Sequence, residues 1–541
     1  MNKTLKFLLL GLPILFAASC SSDEEIVSSA APDFSGITAY NISDVQVVDS
    51  AKFTYRDLIN ARIQMLEAQD NGSNDAEVES EIASLRTSLV SVDSIEHAIH
   101  DSISAAYGVN GANLGYINVA MKKIKYKTKS ANGDDVELSA LVAYSGADYN
   151  FWPFYTFLYY KPNCMLIGCH ATITSNAQAP TNLLDLGTID FLKTDVGQIV
   201  LDGRTNIYSG LEALTVIPDY EGWGDSSNRN HPYLMQEATA RQVVDAATQV
   251  HSWFTKNCKS MEDDWRTAII GYSQGASTAM ATMKHIEQTS GLSDQLHLGG
   301  AVCADGPYDP LATMNFYVKQ GKVNLPEALV LIVLGACDYD VDMKHYSASD
   351  FFTDKFINTG IVDALRAKNK TSDQLQDQIK EKGVTCFEGN YWRLSDLMRP
   401  EIINYFSGKE IDEQYKAKCE ALYNSLKRNN LAASGWKPAH HLVLFHAAND
   451  PTVPIDNYWS VARTMNNDNF MGIRANYDDV RTADHTDVAT QFYLYWDKGL
   501  LRGIVDEDHY NDSEYFRKGL WYTEKYTLNC ERYSADTLPK E

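Results

Sequence analysis

Residues 266 to 289 constrain this chain more than any other stretch. Ala268-Ile269-Ile270 is apolar enough for a buried parallel strand, Gly271-Tyr272-Ser273-Gln274-Gly275 is a G-x-S-x-G turn, and Ala276 to Thr289 places apolar residues at helical spacing. A strand that runs straight into a helix leaves space only for a sharp turn, and small flanking residues make room for it. A serine on such a turn has its hydroxyl held clear of the backbone, which is how a nucleophile is presented.

The rest of the chain supplies a setting for that unit. Tyr55 to Gln69 and Ala76 to Leu89 each carry an amphipathic helical pattern. Ile117 to Thr128, the turn Ala131-Asn-Gly-Asp-Asp135, and Val136 to Tyr144 alternate as a β-hairpin does. From there strand, loop and helix alternate: Met165 to Gly168, Ala213 to Pro218, a long helix over Leu234 to Thr255, Thr267 to Tyr272, Gly299 to Cys303, Leu442 to His446 and Ile473 to Tyr477. That order predicts an α/β chain, with a mostly parallel sheet flanked by helices. Between Gly306 and Lys437 the alternation fails, and Ser372 to Lys382 and Glu410 to Leu426 read as polar-rich helices. Leu329 to Leu334 fits either a strand or a buried helix segment. The stretch 306–437 is expected to be a helical insertion over the carboxyl edge of the sheet, or else an independent domain. The core would then span 117–305 and 438–503, with an N-terminal helical extension over 37–116 and a C-terminal extension over 504–541.

The first residues, Met1-Asn-Lys3-Thr-Leu-Lys6 and then Phe7 to Ala18, form a basic start and an apolar run too short to span a bilayer. They read as a signal peptide over 1–19. Ala17-Ala18-Ser19-Cys20 resembles a bacterial lipobox, with Ala17 where Leu is preferred, and Ser21-Ser22-Asp23-Glu24-Glu25 is similar to the acidic export signal of Bacteroidetes surface lipoproteins. The resemblance implies a lipid on Cys20, a tether over 20–36, and an exported outer-membrane protein exposed at the cell surface. A net charge of −24 argues against a nucleic-acid partner and against adhesion to anionic lipid. The basic run Lys122-Lys-Ile-Lys-Tyr-Lys127 alternates like one solvated strand face. Eight cysteines besides Cys20 permit disulfides without dictating a pairing, and Cys303, inside an apolar run, reads as a buried thiol. Neither a CxxC pair nor an HExxH occurs, so no metal or cofactor is expected.

A serine hydroxyl needs an adjacent imidazole to take its proton and a carboxylate to fix that imidazole. Asp450, in Asn449-Asp450-Pro451-Thr-Val453-Pro454, falls in the loop just after the strand Leu442 to Phe445, where open α/β sheets place functional residues. Asp456 is the fallback acid on the same loop. His485 follows Ile473 to Tyr477, giving the chain order Ser, Asp, His that this turn type requires. His170, His231 and His446 precede the acid, and His509 sits in a polar run.

With these residues in place, 118–503 resembles the α/β-hydrolase superfamily, in particular secreted lipases and esterases with a helical lid insertion. Val216-Ile-Pro218-Asp219-Tyr220-Glu-Gly222-Trp-Gly224 with His231-Pro-Tyr-Leu is similar to the loop such esterases carry before the nucleophile, and Asp305-Gly306-Pro307 to their entry into the lid. The resemblance implies a serine hydrolase cleaving a small-molecule, glycan or lipid ester through an acyl-enzyme on Ser273, without a cofactor. Two other readings stay open: a serine peptidase on the same fold, and a non-catalytic glycan-binding lipoprotein. The oxyanion hole would take one N–H from Gln274 and one from Ala171 or Thr172, in a loop that reads His170-Ala171 where the family has His-Gly. Phe316, Tyr317, Trp392 and Phe406 are candidates either for the substrate pocket or for the insertion's own core.

Overall fold

The computed structural model describes residues 46–70 and 117–475, apart from 152–153, 160, 204–211, 259 and 389, with scattered residues in 78–97, 485–505 and 528–529. The expected leader and tether with Cys20, and also Cys530 and His509, lie outside the described residues.

The strands are β1 (Gln46–Thr54), β2 (Ile117–Lys129), β3 (Asp135–Phe151), β4 (Phe154–Tyr159), β5 (Cys164–Cys169), β6 (Ala213–Pro218), β7 (Arg266–Tyr272), β8 (Leu298–Ala304), β9 (Lys322–Val323), β10 (Trp392–Arg393), β11 (His441–Ala447), β12 (Phe470–Ala475) and β13 (Leu528–Asn529). All but β9 and β10 join one sheet in the order β1-β2-β3-β6-β5-β7-β8-β11-β12-β13, with β4 also on β3. From β6 through to β12 neighbours run parallel, whereas β1, β2, β3, β4 and β13 pair antiparallel. β1 corrects the expectation of a purely helical N-terminal extension: it is an added edge strand, followed directly by helix α1 (Tyr55–Asp70).

Alternation along each central strand explains why both faces need helices. Ile269 of β7 and Leu442 and Leu444 of β11 enter one core, with Val243, Ala247 and Phe254 of the long helix Gln236–Asn257 and Ala279 and Met283 of the helix Gln274–Gln288. Ala268, Ile270, Val443 and Phe445 enter the other, with Leu58 and Leu66 of α1 and Ile199 and Val200 of the helix Asp195–Asp202. Each fully buried aliphatic side chain contributes about 1.5–3 kcal/mol relative to exposure. The two faces together fix the register, because a one-residue slip would exchange them.

Residues 306–437 carry a third core. Helices Pro310–Gln320, Pro326–Tyr339, Ser372–Glu381 and Glu413–Arg428 pack Val330, Val333, Leu334, Phe352, Leu397 and Leu422 together with Tyr233 and Leu234 from the loop after β6. The apolar run Leu329–Leu334 is helix, started by Pro326 in its first turn. Trp392 and Tyr317 are buried within this core, and Phe316 and Phe406 pack against it. Buried Lys368 ties the segment down, donating to the carbonyls of Gly222, Ser227 and Arg229, while its own carbonyl accepts from Asn176 N–H at 2.7 Å. The basic strand β2 matches its solvated-face reading, with Lys123 and Lys125 paired to Asp225. Among the described residues Cys164, Cys169, Cys303, Cys337, Cys386 and Cys419 are free thiols, Cys303 buried among them.

On the helix Gln236–Asn257, the His251 ring stacks at 4.8 Å on Trp265, which also stacks with His297 at 4.5 Å. Burial first, and then the charge of His297, pull His251 down to about 4. The unfolded chain takes up this proton near pH 6.5, so the contribution is complete above about 6.5 and is lost as pH falls toward 4. Comparison with His251→Phe by urea denaturation should show the wild type losing about 2 kcal/mol relative to the variant between about pH 7.5 and 5. A difference that does not move with pH contradicts a neutral buried His251.

Candidate active site

Strand order reverses at β5, since β6 lies on one side of it and β7 on the other. The crevice at the carboxyl ends of β5 and β7 is therefore the switch point where an open α/β sheet binds its ligand. Ser273 stands at the end of β7 with φ 56° and ψ −122°, a backbone state costing a non-glycine residue about 1–3 kcal/mol. Its N–H is held by Ala304 O at 2.9 Å, and its carbonyl accepts the Ala276 N–H at 3.0 Å. The flanking glycines are there for space. A Cβ on Gly271 would lie 2.1 Å from Gly275 O, and one on Gly275 would lie 2.0 Å from Cys169 O. The first helical turn after Ser273 thus rests against the backbone at the end of β5.

The structure brings the three expected side chains together. Ser273 Oγ–H donates to His485 Nε2 at 2.7 Å, and His485 Nδ1–H donates to Asp450 Oδ2 at 2.6 Å. Asp450 Oδ1 accepts the N–H groups of Thr452 (2.8 Å) and Val453 (3.0 Å), which locks the carboxylate in its loop. Burial opposes the charge on Asp450, but the His485 ring and its hydrogen bond outweigh that, and the carboxyl is held below its ordinary value. All three residues are more than nine-tenths buried. Asp456, the fallback acid, is exposed at the start of the helix Asp456–Met465.

Of the two alternatives for the second oxyanion donor, one is already engaged. Ala171 N–H is committed to Asp195 Oδ2 at 2.6 Å, so it cannot also face a substrate. Thr172 N–H has no acceptor among the described residues, and Gln274 opens its helix, so its N–H lacks an intrahelical partner. These two N–H groups are the ones left open. The positive end of the helix dipole at Gln274 favours an anion there.

Several supports were not visible in sequence. Tyr272 OH donates to the His485 backbone carbonyl at 2.6 Å, linking the turn to the histidine's own backbone. His231 Nδ1–H donates to Glu221 O at 2.8 Å, so its Nε2 accepts from the Gln274 side-chain amide at 2.8 Å. Burial first pulls His231 down to about 3, which keeps it a neutral acceptor. Thr172 Oγ1 meets Tyr233 OH at 2.9 Å. Each partner lies tens to hundreds of residues from the group it holds, beyond any local pattern. Of the competing histidines, His170 stacks on Tyr220 at 4.1 Å with both ring nitrogens facing carbonyls, and His446 lies behind Asp450, away from Ser273 in the bonded chain.

Neither a family model nor a curated protein sequence matches the chain. Among solved structures it is similar to the rice cell wall degrading esterase LipA from Xanthomonas oryzae, at 18% identity and a TM-score of 0.52 over 75% of this chain and 93% of that one. A ligand-bound form of that esterase aligns at 19% identity and a TM-score of 0.50, covering 75% and 93%. A candidate hydrolase from Legionella pneumophila aligns at 18% and 0.52, covering 73% of this chain and 91% of that one. The fold is the α/β-hydrolase fold.

Proposed function

We propose that the protein is a serine hydrolase that cleaves carboxylic esters through an acyl-enzyme on Ser273. The observation that carries this reading is the unbroken hydrogen-bond chain from Ser273 through His485 to Asp450, at 2.7 and 2.6 Å. Ser273 Oγ attacks the ester carbonyl carbon while its proton passes to His485 Nε2. Asp450 stabilises the imidazolium without taking the proton. The negative oxygen of the tetrahedral intermediate is received by the N–H groups of Gln274 and Thr172, each such donor being worth about 10²–10³ in rate. Collapse breaks the carbon–oxygen bond to the alcohol, which leaves with the proton from His485. Water then repeats the sequence against the acyl-serine and restores the hydroxyl. None of these steps calls for a cofactor.

Ester rather than amide hydrolysis is favoured by the fold's likeness to an esterase, over 75% of this chain and 93% of that one. The substrate is a small-molecule, glycan or lipid ester that enters beside Thr172 and Tyr233, under the helices of residues 306–437. A lipid on Cys20 would hold the enzyme to the outer membrane with the domain facing outward, in keeping with the acidic residues Asp23, Glu24 and Glu25 that follow it.

A fluorophosphonate probe should label the wild type and not Ser273→Ala, and kcat on p-nitrophenyl acetate should fall by about 10⁴ or more in that variant and in Asp450→Asn. Equal labelling of folded Ser273→Ala, or peptide cleavage exceeding ester cleavage, contradicts the reading. Cys20→Ser is expected to move the protein out of the outer-membrane fraction, and unchanged fractionation rules out the anchor.

A further inference from the structure

Behind the acid lies a second carboxyl that the reaction as described does not use. Asp305 follows β8 directly, in the left-handed region at φ 48°, where aspartate is tolerated but not favoured. Its N–H bonds Phe445 O at 2.9 Å, and its Oδ1 accepts the Ala447 N–H at 2.9 Å, so the residue is sewn into the end of β11. Asp305, His446 and Asp450 are all buried, and one polar atom from each lies within 4.8 Å of the others. Asp305 Oδ2 is buried without a donor, and so is His446 Nδ1 without a partner.

Two carboxylates so close in a dry site cannot both ionise. Among the described residues, neither has a lysine or arginine in ion-pair reach; Asp305 faces His446 at 3.8 Å and Asp450 faces His485 at 2.6 Å. His446 brings no charge, since its Nε2–H donates to Val453 O at 2.9 Å and burial first pulls the ring down to about 4. The other titratable groups around the pair are Cys303 of β8, Tyr308 after it, Tyr317 of the helix Pro310–Gln320, and Asp456, none of them cationic. Asp450 already receives three N–H groups, from Thr452, Val453 and His485, and has one lone-pair position left. Burial, and next the charge of Asp450, push the Asp305 carboxyl well above the ordinary range.

We propose that Asp305 is a positioning residue that stays protonated at neutral pH and donates from Oδ2 to the Asp450 carboxylate, extending the hydrogen-bonded chain to Asp305–Asp450–His485–Ser273. This rests on the esterase reading above. The donated proton fills the last acceptor position of Asp450 without cancelling its charge. The carboxylate then keeps one orientation toward His485, and its negative charge stays available to the imidazolium.

The test uses full-length Asp305→Asn and Asp305→Ala. Asparagine offers the same acceptor to Ala447 and an N–H to Asp450, with the same charge as a protonated aspartate; alanine offers neither. Asp305→Ala should lower kcat about tenfold with KM little changed, and Asp305→Asn should recover most of that loss. The acid limb of kcat/KM should stay within about half a unit of wild type in Asp305→Asn. Infrared spectra at neutral pH should show a protonated carboxylic acid carbonyl that the variant loses. If Asp305 were ionised, Asp305→Asn would remove a negative charge, drop the acid limb by about a unit or more, and lose no such band. That result overturns the proposal, as does a stoichiometric divalent metal that leaves with either substitution. Absence of Ser273 labelling would sink the esterase reading while the infrared band still decides the protonation of Asp305.

Discussion

The backbone of Ser273, held in a state its side chain disfavours, is the constraint on which the site depends. Its φ of 56° lifts the hydroxyl off the end of β7 and aims it at His485. The cost, about 1–3 kcal/mol, is offset by the surroundings. Ala304 of the neighbouring strand fixes the serine N–H, the following helix takes its carbonyl, and glycines 271 and 275 allow backbone to meet backbone where any Cβ would collide. The same close approach of Gly275 to Cys169 sets the first helical turn against the loop of Thr172. One strained turn thus places the hydroxyl and the N–H of Gln274 side by side.

Electrostatics at the site follow from keeping most polar groups neutral and the few charges satisfied. His231 is held as a neutral acceptor for Gln274, and His446 is neutral behind the acid. Asp450 is kept ionised by the His485 ring and by two backbone N–H groups. In so dry a site each of these hydrogen bonds counts for more than it would in water, and an unpaired group costs correspondingly more. Asp195 has a parallel task on the other side, fixing the loop through Ala171 N–H so that Thr172 is the residue left open.

What could be read from the sequence follows where the information lies in the chain. The strands β5, β6, β7, β8 and β11 were legible because a parallel strand covered on both faces is a bare apolar run. Edge strand β1 was not, since Gln46–Thr54 mixes polar and apolar residues and its pairing register shifts between Val47 and Asp49. Leu329–Leu334 was ambiguous because six apolar residues fit a strand or a helix, and only packing within the third core decides it. The positions of Asp450 and His485 were legible from chain order, the one following β11 and the other following β12. Tyr272, His231, Asp195 and Asp305 were not, because each acts through a contact that only folding creates.

The charge formed on an ester attacked by Ser273 is predicted to land between two backbone N–H groups. The most direct measurement is a crystal structure of the enzyme inactivated by a p-nitrophenyl phosphonate. A phosphonyl oxygen within about 3 Å of both Gln274 N and Thr172 N, with Ala171 N still on Asp195, is the predicted result. An adduct whose oxygen points away from those two groups, or a phosphonate bonded to a residue other than Ser273, would contradict it.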